Sequence, residues 1–207
     1  MKNTLKKEGK TTSQIACLFI GRSGCGKGTQ VELFIKKIQE VNGLKTLKVE
    51  TGSLLRELAK KPSLTAVKTK ELLDNGELMP ESLVIGLWSS YLIENYSGNE
   101  NLVFDGLARR LTEAVILDAA LRFYNILKYK VVYINVSREW GTERLLARKR
   151  KDDTEEDIKN RMDWFDTNVS ASIEYFKNNK NCDFIDVNGE QTIEEVHAEL
   201  VKKVFGK

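Results

Sequence analysis

Nine consecutive residues carry the clearest chemical signal in this chain: Gly21-Arg22-Ser23-Gly24-Cys25-Gly26-Lys27-Gly28-Thr29. Gly21, Gly26 and Lys27 fit the G-x-x-x-x-G-K frame of a phosphate-binding loop. Glycines let backbone N–H groups wrap an anion, and a following helix turns its positive end toward the same charge. Lys27 adds a mobile cation for the outer phosphates. The Ser or Thr that usually follows the lysine is Gly28 here, with Thr29 one place later. A magnesium ion is therefore expected to be held partly through water. The bland alternative is a glycine-rich turn without a ligand. Against it stand the apolar run before the loop and the helical spacing after it.

Arginines supply a second signal. Arg56 and Arg109 each follow a short apolar run, and Arg144, Arg148, Arg150 and Arg161 lie within one later stretch. Planar guanidinium groups hold phosphate in a bidentate fork, which suits a reaction that needs alignment and charge neutralisation. A solvated helix face or a nucleic-acid patch would use similar residues between Arg144 and Lys151.

The elements that must position these groups alternate. QIACLFI (14–20), TLKVE (46–50), NLVFD (101–105), KVVYINV (130–136) and CDFIDVN (182–188) read as five buried strands. Val31, Phe34, Ile35 and Ile38 recur at helical spacing from Lys27 until Asn42-Gly43. Helices are predicted at 53–61 and 64–75 around Pro62, from Pro80 to about Tyr96, and over 154–180 behind Thr154 and an acidic first turn. Strands alternating with helices predict an α/β fold, a parallel sheet covered on both faces. Ligands in such sheets sit at the carboxyl ends of the strands, where the informative residues fall.

Five ordered motifs resemble the adenylate kinase family, a group of P-loop nucleoside monophosphate kinases. Gly24-Cys25-Gly26-Lys27-Gly28-Thr29-Gln30 resembles its GxGKGTQ loop, and Thr51-Gly52-Ser53-Leu54-Leu55-Arg56 its TGDLLR segment. Gly76-Glu77-Leu78-Met79-Pro80 resembles GxLVP, and Asp105-Gly106-Leu107-Ala108-Arg109 resembles DGFPR. Arg144 and Arg148 resemble the start of the family's lid; Arg150-Lys151-Asp152-Asp153 with Arg161 resembles its close. Asn188-Gly189 resembles the last nucleotide-side loop, so the likeness spans about residues 14–205.

The resemblance implies a three-layer P-loop kinase fold with a helical acceptor-binding insertion at about 51–80 and a lid remnant at about 144–153. It implies transfer of the terminal phosphoryl group of ATP to AMP. Gly24, Cys25, Gly26, Lys27, Gly28, Thr29 and Arg144 would hold ATP. Thr51, Arg56, Met79, Val84, Gly106, Arg109, Glu113, Arg150 and Arg161 would hold AMP. Lys27, Arg109, Arg148, Arg150 and Arg161 would serve the transfer, and Asp105 would orient a water-bound Mg2+ ion. Thr51 favours AMP, since relatives acting on pyrimidine monophosphates generally have alanine there. CMP, UMP or GMP as acceptor, and a nucleotide-binding module without turnover, remain the competing readings.

Three departures stand out. Only Lys149 separates Arg148 from Arg150, where the family carries a lid loop; this also removes the four-cysteine zinc site of some lids, so no zinc is expected. Glu113 replaces a glutamine that reads the AMP base. An ionised carboxylate accepts hydrogen bonds but cannot donate, so Glu113 either meets the base altered or points to solvent at its helix start. Leu107-Ala108 replaces Phe-Pro, which predicts a looser turn.

Composition bounds the rest. The chain has 207 residues, 41% hydrophobic and 30% charged, and a net charge of +3. Lys2, Lys6, Lys7 and Lys10 against Glu8 account for that charge, leaving 29 basic and 29 acidic side chains elsewhere. A neutral body argues against a nucleic-acid partner. Residues 1–13 read as a disordered basic leader ahead of one domain, 14–207. Cys17, Cys25 and Cys182 are few and widely spaced, and no apolar run nears the roughly 18 residues of a membrane span. The expectation is a cytoplasmic monomer with nucleotides as partners and no membrane. His197 shares a helix face with Val196 and Leu200, and Trp88, Trp140 and Trp164 read as packing residues.

Overall fold

In the computed structural model, which describes residues 13–75, 77–148 and 154–206, five strands form one parallel sheet. They are β1 (Ala16–Gly21), β2 (Thr46–Glu50), β3 (Asn101–Asp105), β4 (Tyr129–Asn135) and β5 (Cys182–Asn188), in spatial order β2-β3-β1-β4-β5. Parallel strands bury both faces, so their sequences need no polar alternation. Along β1, Leu18 and Ile20 enter one hydrophobic cluster while Cys17 and Phe19 enter the other. Phe104 and Val103 of β3 divide the same way.

Nine α-helices are described: α1 (Lys27–Asn42), α2 (Thr51–Leu58), α3 (Leu64–Asp74), α4 (Glu81–Asn95), α5 (Leu111–Phe123), α6 (Arg138–Arg148), α7 (Glu155–Trp164), α8 (Ser170–Asn178) and α9 (Ile193–Phe205). Phe34 of α1 and Leu200 of α9 fill one cluster; Trp88 of α4, Leu117 of α5 and Phe176 of α8 fill the other. The layers are therefore helix, sheet, helix.

Three expected strands match to the residue, and β1 and β4 shift by one or two positions, the ordinary fraying of element ends. The expected helix over 154–180 departs more. Thr154 caps it, its Oγ1 accepting the Asp157 N–H at 3.1 Å. After Trp164, however, the chain widens into a π-helical turn, Phe165–Val169, before α8. The Thr167 hydroxyl donates to the Asp163 carbonyl at 2.7 Å and the Asn168 amide donates to the Trp164 carbonyl at 3.2 Å. Such side-chain bonds to the preceding turn compete with the regular ladder and support the wider winding.

The sheet positions the site by its register. Phe19 and Glu50 both lie opposite Asp105, and Gly21 lies opposite Ile134. The phosphate loop, Asp105 and the start of α2 thus emerge together at the carboxyl edge. β1 lies centrally, with β3 and β2 on one side and β4 and β5 on the other, so the cleft opens where the winding changes direction. Residues 1–12 of the expected leader, Gly76 of the acceptor turn, and Lys149, Arg150 and the rest of the segment to Asp153 lie outside the described residues.

Candidate active site

The phosphate loop turns on two left-handed glycines, Gly24 at φ 86° and Gly26 at φ 82°. Gly26 is also the N-cap of α1, where no side chain caps the helix and no acidic residue occupies its first turn. The contrast with α9 is direct: there Thr192 and Glu195 form a full capping box. The free N–H groups of α1 are left to an anion. A side chain added at Gly26 or Gly28 would meet nothing within 4 Å. At Gly21, by contrast, a Cβ would lie 2.6 Å from Cys25 Sγ, so the loop closes inward there and stays open toward the cleft.

Lys27 leaves the loop and pairs with Asp105, at the end of β3. Arg56, one turn into α2, lies 3.2 Å from Glu50, and Gly52 leaves room for its guanidinium. Arg109 donates from Nε to the Gly106 carbonyl at 3.1 Å, and its cation lies 5.9 Å from the Trp164 ring. Arg144 lies 5.6 Å from the ring of Trp140, one turn earlier on α6. One cleft of about 1130 Å³ is lined by the whole loop, by Arg56, Asp105, Gly106 and Arg109, and by Arg144, Arg148 and Arg161. Residues from six segments of sequence meet in it.

Four expected acceptor residues are not among those that line the cleft. Thr51, Met79, Val84 and Glu113 are all buried. Glu113 does not point to solvent from its helix start: its Oε2 accepts the backbone N–H of Arg109 at 2.9 Å. Burial pushes its carboxyl above the usual range, against the opposing pull of that hydrogen bond and the Arg109 charge. The turn before it is not loose either. Ala108 stands at φ 54°, a left-handed backbone that proline cannot adopt. Ser172 donates to its carbonyl, and with the Glu113 and Gly106 contacts this pins the turn at three points.

Among the cleft-lining groups that the linear sequence does not single out are Arg22, Trp164 and Phe165. Trp164 is more than packing, since it faces Arg109. No signal in the linear sequence distinguishes it from Trp88, which is 1% exposed in the core. Cys25 is buried, and desolvation raises its pKa, so it sits under the loop as a neutral thiol. His197 is half-buried with its Nδ1 lacking a described hydrogen-bond partner, and burial lowers its pKa.

A parallel sheet with an anion-ready loop at its edge and cations converging from four helices defines a P-loop phosphotransferase. The family model for adenylate kinase matches residues 19–181. Adenylate kinase 1 of Nostoc sp. is 31% identical over 183 residues, 88% of this chain and 95% of that protein. Adenylate kinase of Prochlorococcus marinus is 32% identical over 187 residues, 90% of this chain and 97% of that protein. Adenylate kinase of Leptospira biflexa is 29% identical over 191 residues, 90% and 98% respectively. This chain belongs to the adenylate kinase family.

Proposed function

We propose that the chain catalyses ATP + AMP = 2 ADP by holding two nucleotides end to end in the cleft. The observation that carries this reading is the shared wall: one cavity joins the uncapped start of α1 to Arg56 and Arg109 on one side and to Arg144, Arg148 and Arg161 on the other.

Lys27 and the loop amides take the ATP phosphates, and Arg144 meets its base. Arg56 and Arg109 take the acceptor phosphate. Arg148 and Arg161, with Arg150, gather round the transferring group. In the free protein Lys27 is matched by Asp105 and Arg56 by Glu50, so each cation exchanges a carboxylate for a phosphate when nucleotide enters. Such cations act by spreading the equatorial charge of the transferring phosphoryl group, and the protein needs no nucleophile of its own.

Asp105 fits a Mg2+ ion. It offers a hard oxygen at the cleft floor beside Lys27, which suits a cation that keeps water and phosphate as most of its ligands. When bound, the ion would neutralise phosphate charge. In this reading Thr51, Met79 and Val84 support the acceptor side, and Glu113 acts there through the Arg109 backbone N–H that it accepts. No described helix is long and apolar enough to cross a membrane; a cytoplasmic monomer working on free nucleotides is the setting we propose.

The test is ADP production from ATP and Mg2+ with AMP, CMP, UMP or GMP. AMP gives the highest rate, and Lys27→Met abolishes it. Absence of any diphosphate overturns the reading, and a faster rate with a pyrimidine acceptor reassigns the substrate.

A further inference from the structure

Arg22 is the second residue of the phosphate loop, and its cation is engaged by another element of the cleft wall. Its guanidinium sits 4.4 Å from the ring centroid of Phe165 and 2.7 Å from the Asp166 carboxylate. Phe165 and Asp166 are the first two residues of the π-helical turn. The chain of charge continues: Asp166 also pairs with Arg138 at 3.1 Å, and Arg138 pairs with Asp163 at 2.6 Å. The loop, the first residue of α6 and the end of α7 are thereby tied together.

Backbone contact reinforces the tie. A Cβ on Gly24 would fall 2.4 Å from the Gly141 carbonyl of α6. A Cβ on Gly141 would fall 2.9 Å from the Ser23 carbonyl and 3.1 Å from Met162 Cε of α7. Leu145, Ile158 and Met162 form a small separate core joining α6 to α7. Those two helices carry Arg144, Arg148 and Arg161.

We propose that Arg22 is a positioning residue, a clamp that fastens the phosphate loop to the α6–α7 pair so that its arginines sit at fixed distances from the ATP phosphates. Arg22 itself does not touch the nucleotide. The π turn is what makes the clamp: its widened winding offers Phe165 and Asp166 to the guanidinium together. This deepens the phosphoryl-transfer reading and rests on it.

A clamp and a phosphate ligand respond differently to substitution. If Arg22 positions, Arg22→Ala and Asp166→Asn each lower kcat by about tenfold or more, since small misplacements of catalytic groups carry costs of that order. The KM for ATP stays within about threefold of the parent, and the double variant is slower than the slower single one by much less than the product of the two losses, because the Arg22–Asp166 tie is already broken in each. Asp166 is partly exposed, so Asp166→Asn carries the test if Arg22→Ala does not fold, as judged by circular dichroism. The proposal is overturned if Arg22→Ala raises the KM for ATP more than tenfold with kcat retained, or if Asp166→Asn turns over like the parent. A parent protein that yields no ADP overturns the phosphoryl-transfer reading and this one with it; an active parent with an unaffected Asp166→Asn overturns the clamp alone.

Discussion

Ser172 of α8 donates its buried hydroxyl to the carbonyl of Ala108, across the face of the sheet. Ala108 precedes Arg109, so a buried side chain sets the backbone of a cation that lines the cleft. Removing the hydroxyl strands a buried carbonyl, which costs about 1–3 kcal/mol. Ser172→Ala will lower the unfolding free energy by that order and raise the KM for AMP more than that for ATP. Denaturant unfolding and steady-state kinetics measure the two effects; an unchanged AMP dependence would separate Ser172 from the site.

Proline at position 108 would restore the residue type seen in the family motif, yet it will harm this protein. Ala108 sits at φ 54° and proline holds φ near −65°. Ala108→Pro must re-route a turn pinned by three hydrogen bonds, at a cost above about 1 kcal/mol. Thermal melting of Ala108→Pro and of Ala108→Gly provides the check. Glycine should sit close to the parent: it relieves about 1–2 kcal/mol of left-handed strain but gives up a buried methyl group and adds chain entropy.

Glu113 gives a pH-dependent prediction. Burial raises its pKa above the usual 4.5, so the fold favours the neutral acid. That contribution is fully present below the unfolded-state value near 4.5 and is lost as pH rises through the higher folded-state value. Glu113→Gln keeps a neutral acceptor for the Arg109 N–H at every pH. Its Tm relative to the parent will therefore climb from acid toward neutral pH and then level off. A Tm difference that is constant across that range refutes the account.

Gly141→Ala places a methyl group 2.9 Å from the Ser23 carbonyl and 3.1 Å from Met162. Overpacking of this kind costs roughly 1–3 kcal/mol. The variant will also lose turnover, because the displaced group is the phosphate loop. Equal stability and rate in Gly141→Ala would show that loop and α6 move freely past one another.

Only Lys149 lies between Arg148 and Arg150. A lid excludes water from the phosphoryl group; on our proposal that this short link stands in place of the family's lid loop, the chain will release phosphate from ATP without acceptor faster than a lidded member of its family. Phosphate release measured side by side decides the matter, equal leakage being the contrary result.

The phosphate loop, the strand order along the chain and the cations after β2 and β3 were legible in residues alone. Their signals are local: apolar runs of strand length, glycines at fixed offsets, and a lysine at a helix start. Even the cap on Thr154 could be read, because it closes within one turn. Other features depend on which elements become neighbours. Glu113 turns to the Arg109 backbone, Trp164 faces the Arg109 cation, and Arg22 clasps Phe165 and Asp166. A helix of given periodicity declares which face is apolar, but the partner waiting on its polar side is chosen by packing across the sheet. For this protein the sequence by itself determined which groups could do chemistry; the tertiary structure decided which of them face one another, because only close packing brings Arg22 within 2.7 Å of Asp166.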